Sequence, residues 1–237
     1  MKLNLLLSCC LFLLSHSETN AQDNAGRFQF SLTTAHPNAK SLMKEDFFWS
    51  PIDETEPFGS DGGSDAAYGF HIWRKIHASI SPIVYLKDLI GSWHYPEIAW
   101  DEMDTVKIKK YMKTPYVLSQ SEIDQQVNQL KQENKRSQTA PGAKKISDEE
   151  LHQIVISSGN NMGISYLIDL DEAIIGIAFA QFVLEGKVDP KLKYYVTKAL
   201  EREMLTILTG QFGKPDQQQA HNEKITKLLK VVKKMPS

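Results

Sequence analysis

The stretch DLDEAIIGIAFAQFVLEG, residues 169–186, decides the fold class of this chain. Residues 173–184 are apolar around nearly the whole circumference of a helix, which is typical of a helix enclosed by other elements. The acidic residues at 169–172 suit the positive end of a helix dipole, so we expect the helix to begin there. Gly186 stands where a left-handed C-cap is most common. The stretch therefore predicts a central core helix.

Signals for the start of a helix recur on both sides of this stretch. Asp189-Pro190 and Ser81-Pro82 each combine an N-cap side chain with a proline at the first helical position. Ser147-Asp148-Glu149-Glu150 has the spacing of a capping box. We expect Ser64 or Asp65 to cap a further helix. The sequence thus predicts a mainly α protein: a single compact helical domain with a loop-rich N-terminal segment and a polar helical insertion.

Composition divides the chain into segments of different character. The polar stretch after Ser119 has only a thin apolar stripe at helical spacing, so we interpret it as an insertion or linker. The predicted segments are a signal peptide at 1–21, a loop-rich segment at 22–63, a first helical half at 64–118, the polar insertion at 119–146 and a second helical half at 147–237.

The N-terminus has the pattern of an export signal. Lys2 precedes an apolar run at 3–14 that is too short to cross a bilayer, and small side chains follow it. We therefore expect cleavage between Ala21 and Gln22, a periplasmic or secreted mature chain, and no transmembrane segment after cleavage.

Both cysteines of the chain, Cys9 and Cys10, lie inside that apolar run. Leu6-Leu7-Ser8-Cys9 resembles a lipidation box, so the alternative is a lipoprotein anchored at Cys9 or Cys10. Either form of processing leaves no cysteine that could form a disulfide. Thiol catalysis and zinc–thiolate sites are therefore excluded from the mature chain.

The formal charge of −2 excludes the basic surplus that a nucleic-acid partner would require. Five lysines between Lys224 and Lys234 alternate with aliphatic residues. This pattern favours a terminal amphipathic helix with solvated lysines, and the alternative is a helix that binds an anionic surface.

An acidic, glycine-rich loop is the candidate binding site, and its residues are Trp49, Asp53, Glu56, Asp61 and Asp65. Oxygen ligands on a flexible loop can hold a hard cation, but the spacing does not match the helix-loop-helix calcium pattern. The other interpretations are a turn that caps the next helix and a surface that contacts a peptide or a protein. We predict no metal here.

Signatures of catalysis are lacking in the sequence. No two histidines stand three or four residues apart, and no serine lies in a Gly-x-Ser-x-Gly motif. We therefore name no catalytic residue and no cofactor, and we leave open whether the protein is an enzyme.

Several motifs together resemble the uncharacterised bacterial YfeS-like proteins. They are Ala35-His36-Pro37, Asp46-Phe47-Phe48-Trp49-Ser50-Pro51, Pro57-Phe58-Gly59-Ser60-Asp61, and Asp171-Glu172-Ala173-Ile174-Ile175 with Lys198-Ala199-Leu200-Glu201-Arg202. The resemblance implies a compact bacterial domain with no known activity, so it transfers no catalytic residue. A Trp-Gly-Arg tripeptide that we connect with that family is absent here, and the predicted signal peptide disagrees with a cytoplasmic role.

These observations predict a non-enzymatic binding or interaction domain of the cell envelope. Its partner would be a protein, a peptide or a small polar ligand, bound through the loop from Trp49 to Asp65. One alternative is a hydrolase that uses carboxylates of this loop, with or without a metal ion. Another alternative is an immunity-type protein that binds a toxin partner.

Overall fold

The computed structural model describes residues 28–115, 118–137, 146–159, 162–210 and 213–237. The predicted signal peptide, with its cleavage site between Ala21 and Gln22 and the alternative lipid anchors Cys9 and Cys10, lies outside the described residues. Within them the chain is mainly α and forms no strand, which confirms the predicted fold class.

Ten α-helices and one 3-10 helix lie in the described part of the chain. In chain order they are α1 (Pro37–Leu42), the 3-10 helix (Asp46–Trp49), α2 (Asp61–Ile76), α3 (Pro82–Ser92), α4 (Thr105–Met112), α5 (Gln120–Ser137), α6 (Asp148–Ser158), α7 (Gly163–Glu185), α8 (Pro190–Glu203), α9 (Thr206–Thr209) and α10 (Pro215–Lys234). None of these helices is both long and apolar enough to cross a membrane.

The chain divides into two compact units. The larger one contains residues 28–111 and 164–237, and the described part of the smaller one lies within residues 112–163. In the smaller unit, α5 and α6 pack against each other around a core of their own, formed by Val127, Leu130, Leu151 and Val155. This hairpin extends beyond the range 119–146 predicted for the polar insertion, because α6 supplies half of its core.

Helix α7 is the core of the larger unit, as its sequence predicts. Every residue from Ala173 to Val183 is buried. Gly186 ends the helix with a φ of 70°, in the left-handed region that favours glycine, and its N–H donates to the Phe182 carbonyl over 2.8 Å.

The predicted start of α7 is wrong. The helix begins at Gly163 because Tyr166, Leu167 and Leu170 carry its buried stripe back by two turns. The acidic residues at 169–172 therefore lie in the interior of the helix and do not cap it.

Most other predicted helix starts are confirmed. Ser81 and Asp189 are N-caps with proline at the next position, and Ser147 forms a reciprocal capping box with Glu150. The predicted cap of α2 is wrong: Ser60, rather than Ser64 or Asp65, accepts the N–H of the residue three positions on.

Helix α2 begins early because two glycines let it approach α7 closely. A Cβ at Gly176 in α7 would lie 2.3 Å from the carbonyl oxygen of Gly63, and a Cβ at Gly62 would lie 2.6 Å from Oε2 of Glu172. No side chain fits between the two helices at these points. The first turn of α2 is therefore packed against the acidic part of α7.

Candidate functional site

The structure ties the first half of the candidate loop to the rest of the larger unit. The Trp49 indole N–H donates to the carbonyl of Met43 over 2.9 Å. Asp53 forms an ion pair with Lys224 of α10 and accepts the Thr55 N–H over 3.1 Å. Burial opposes ionisation of Asp53, but Lys224 and Thr55 outweigh it and lower the pKa of the carboxyl. These two side chains thus hold the loop in place.

Glu56 is the buried acid of this loop, and only 3% of its surface is exposed. Its Oε2 accepts no hydrogen bond from any described residue. Burial and the neighbouring Asp53 raise the pKa of Glu56 to about 7, against the opposing effects of the Ser50 N–H and Lys224. The carboxyl of Glu56 is therefore partly protonated near neutral pH.

Asp61 and Asp65 lie apart from Asp53 and Glu56, in the first two turns of α2, and both are exposed. Asp61 contributes to the negative potential at Glu172, and Asp65 to that at Tyr85. The structure therefore brings together Asp53 and Glu56, but not all five residues of the predicted site. No three acidic or histidine side chains in the described ranges are grouped to hold a metal ion.

Helix α7 carries a second group of carboxyls that the sequence analysis assigned to a cap. Asp171 is 1% exposed and forms a buried ion pair with Arg202 of α8. The Arg202 guanidinium also donates to the Trp100 carbonyl over 3.1 Å and to the Glu102 carbonyl over 2.9 Å. Burial raises the pKa of Asp171 to about 6, although Arg202 opposes the rise. The pair thus fastens α8 and the segment before α4 to the core helix.

Glu172 and Asp169 lie on the same helix and are also protonated more readily than usual. Burial and the nearby Asp169 raise the pKa of Glu172 to about 8, while a hydrogen bond with Ser60 opposes the rise. Asp169 accepts a hydrogen bond from the Tyr95 hydroxyl over 2.8 Å, and burial raises the pKa of Asp169. The apolar residues Ile164 and Tyr166-Leu167-Ile168, on the N-terminal side of these acids, are the sequence signal for a helix that continues through them.

A third titratable pair joins α8 and α10. His221 Nε2 lies 3.4 Å from Oε2 of Glu203. Burial and Lys224 lower the pKa of His221 to about 4, so the ring is neutral at pH 7. Burial, with Asp171 and Glu172 nearby, raises the pKa of Glu203 well above its usual range. Each shift favours the uncharged form of its group.

The outer face of α2 carries large aliphatic side chains that are not part of the core. Ile72 is 48% exposed and Ile76 is 80% exposed, whereas Ala66, Ala67 and Phe70 of the same helix are buried. Residues four apart on a helix are neighbours, so the two isoleucines form one patch, which we call the α2 aliphatic surface.

Arg74 fixes the turn that follows this surface. Its Nη1 donates to the His77 carbonyl over 3.0 Å and also to the Ile80 carbonyl, and its Nε lies 2.7 Å from Oε1 of Glu185. Ile80 is itself 42% exposed. The end of α2 is thus held rigidly while it presents aliphatic side chains to solvent.

Comparison of the chain with sequence models of protein families, with curated proteins and with solved structures finds no match. The resemblance to YfeS-like proteins therefore stays a prediction.

Proposed function

We propose that this chain is a non-enzymatic binding domain of the bacterial cell envelope, and that it binds a protein partner through the α2 aliphatic surface. The exposure of Ile72 and Ile76 on a helix face opposite the core is the observation that carries the proposal. Fully burying one exposed isoleucine side chain contributes about 1.5–3 kcal/mol, so a partner that covers Ile76 and the exposed half of Ile72 gains about 2–4 kcal/mol. The envelope location rests on the export pattern of residues 1–21.

Rigidity of the surface supports the same proposal. The hydrogen bonds of Arg74 hold the turn after Ile76, so a partner would lose little conformational entropy in ordering it.

The Asp53 and Glu56 carboxyls are poorly placed for hydrolysis. Asp53 is committed to Lys224, and Glu56 is almost fully buried, so neither is placed to meet a substrate from solution. The loop also presents an aliphatic side chain outward, that of Ile52, which is 86% exposed. We therefore favour the α2 surface over the loop as the binding region, and we keep Ile52 as a second position to test.

Site-specific photocrosslinking in the producing cell tests the proposal. A benzophenone amino acid is placed at position 76, at position 52 and at position 106. Val106 is the matched control because it is 75% exposed on another helix. We expect a specific cross-linked protein from position 76 and none from position 106. A product from position 52 alone would return the binding region to the loop.

Affinity then decides whether the contact is specific. With the cross-linked partner purified, Ile72→Asp with Ile76→Asp should weaken the Kd at least about tenfold, and Val106→Asp should change it less than about twofold. Equal loss in both variants would refute a role for the α2 surface. A secreted toxin as the partner would select the immunity-type function.

A further inference from the structure

We propose that the loop of residues 50–60 is a proton-controlled latch. Protonated Glu56 keeps it packed against α10, and loss of that proton releases it.

The Glu56 carboxyl is buried in the packed loop. Only 3% of the residue is exposed, and its Oε2 has no hydrogen-bond donor among the described residues. A buried carboxylate whose only donor is the Ser50 N–H is less stable than a buried neutral carboxyl. The packed loop therefore favours the protonated form.

Asp53 and Glu56 compete for the positive charge of Lys224. Lys224 is the cation that faces both acids of the loop, and it already forms an ion pair with Asp53. When Glu56 ionises, two carboxylates face one ammonium group, and the second negative charge is left without a partner. Exposure of the Glu56 carboxylate to water relieves this unpaired charge, and the loop leaves α10 in that movement.

Two other titratable groups, His221 and Glu203, lie on the helices beside the loop. His221 of α10 lies near Asp53 and Lys224, and Glu203 of α8 lies 3.4 Å from it. Because the pKa of His221 is lowered to about 4, this ring supplies no positive charge near neutral pH, and the Glu203 carboxyl can supply none at any pH. The surroundings therefore do not compensate the ionised Glu56.

Backbone hydrogen bonds close the turn that contains Glu56. The Glu56 N–H donates to the Asp53 carbonyl over 2.8 Å, and the Gly59 N–H donates to the Glu56 carbonyl over 3.2 Å. A Cβ at Gly59 would lie 2.0 Å from the Asp53 carbonyl oxygen, so the turn is tight. In the released loop these hydrogen bonds open. Their amide protons therefore report on the state of the latch.

The direction of the pH response follows from the pKa of Glu56, which is raised from 4.5 to about 7 in the packed loop. The packed state is favoured fully below pH 4.5 and loses its advantage as the pH rises to about 7. Within that window the ratio of packed to released loop falls by up to about tenfold per pH unit.

Hydrogen exchange of the purified protein, corrected for the intrinsic rate at each pH, tests the latch. Protection of the Glu56 and Gly59 amides should fall at least about tenfold between pH 5 and pH 8. Glu56→Gln should keep them protected across this range. Glu54→Gln is the matched control, because this exposed neighbour in the same loop should leave the parent's pH response unchanged.

Two results would overturn the proposal. One is a pH response of these amides that persists in Glu56→Gln. The other is a ¹³C carboxyl titration of the parent protein in which Glu56 ionises near its ordinary pKa. The second measurement does not depend on any variant folding.

Discussion

Replacing Arg202 by methionine should be among the most damaging single changes in this protein. The Arg202 side chain is 0% exposed and that of Asp171 is 2% exposed. Removal of the guanidinium leaves the Asp171 carboxyl without its partner and deprives the carbonyls of Trp100 and Glu102 of their donor. Breaking a buried ion pair costs about 3–5 kcal/mol, and each unsatisfied carbonyl about 1 kcal/mol more. Protonation of Asp171 limits the first cost, so we expect a loss of about 5 kcal/mol.

The pH dependence of that loss identifies its cause. The pKa of Asp171 is raised to about 6 even with Arg202 beside it, and it should rise further without Arg202. A carboxyl that is already protonated needs no counter-ion. The variant should therefore lose less stability at pH 5 than at pH 8, as measured by urea unfolding followed by circular dichroism.

Two further variants separate the ion pair from general damage to α8. Asp171→Leu combined with Arg202→Met removes both charges and should lose only about 2 kcal/mol, since only the two carbonyls stay unpaired. Lys198→Met on the same helix breaks the partly exposed pair with Glu201 and should cost less than about 1 kcal/mol. The reasoning would be refuted if the double variant were as unstable as Arg202→Met, or if Arg202→Met alone lost less than about 1 kcal/mol.

Two other predictions concern the packing of α2 against α7. Because the pKa of Glu172 is raised from 4.5 to about 8, its contribution to stability is fully present below pH 4.5 and is lost as the pH rises to about 8. Glu172→Gln should therefore raise stability by about 2 kcal/mol at pH 9 and leave it nearly unchanged at pH 4. A thermal-unfolding Tm at pH 9 that is lower in Glu172→Gln than in the parent protein would contradict this. Gly176→Ala places a methyl group 2.3 Å from the Gly63 carbonyl oxygen and should cost about 2 kcal/mol or more in urea unfolding. Gly91→Ala in α3, where no atom beyond the adjacent residues and the helix's own backbone lies within 4 Å of the new Cβ, should be neutral or stabilising, so equal losses in the two variants would exclude a steric cause.

Much of the fold could be predicted from the sequence because its signals are local. Ser81, Ser147 and Asp189 cap their helices as predicted, since a cap depends on residues within one turn. Residues 173–183 are buried because a helix without a polar face must be enclosed. The cap of α2 was predicted at Ser64 or Asp65, later than Ser60, because Gly62 and Gly63 disfavour a helix locally, whereas close packing against α7 stabilises that turn.

The candidate site depended on contacts that no local pattern reveals. The sequence placed Trp49, Asp53, Glu56, Asp61 and Asp65 in one acidic loop, and their chemical types did not distinguish inward from outward side chains. Asp53 acquires its partner from Lys224, 171 positions further along the chain. Burial of Glu56 and exposure of Ile76 likewise depend on which elements pack beside them.

The sequence by itself determined the helical class, the core helix and most of the helix ends, because periodicity and capping act over a few residues. Only the tertiary structure decided that the acids at 169–172 lie inside a helix, that Arg202 neutralises Asp171, and that α2 presents its isoleucines to solvent. The physical reason is that burial and charge pairing are set by neighbours in space. For these side chains the decisive neighbours are distant in sequence.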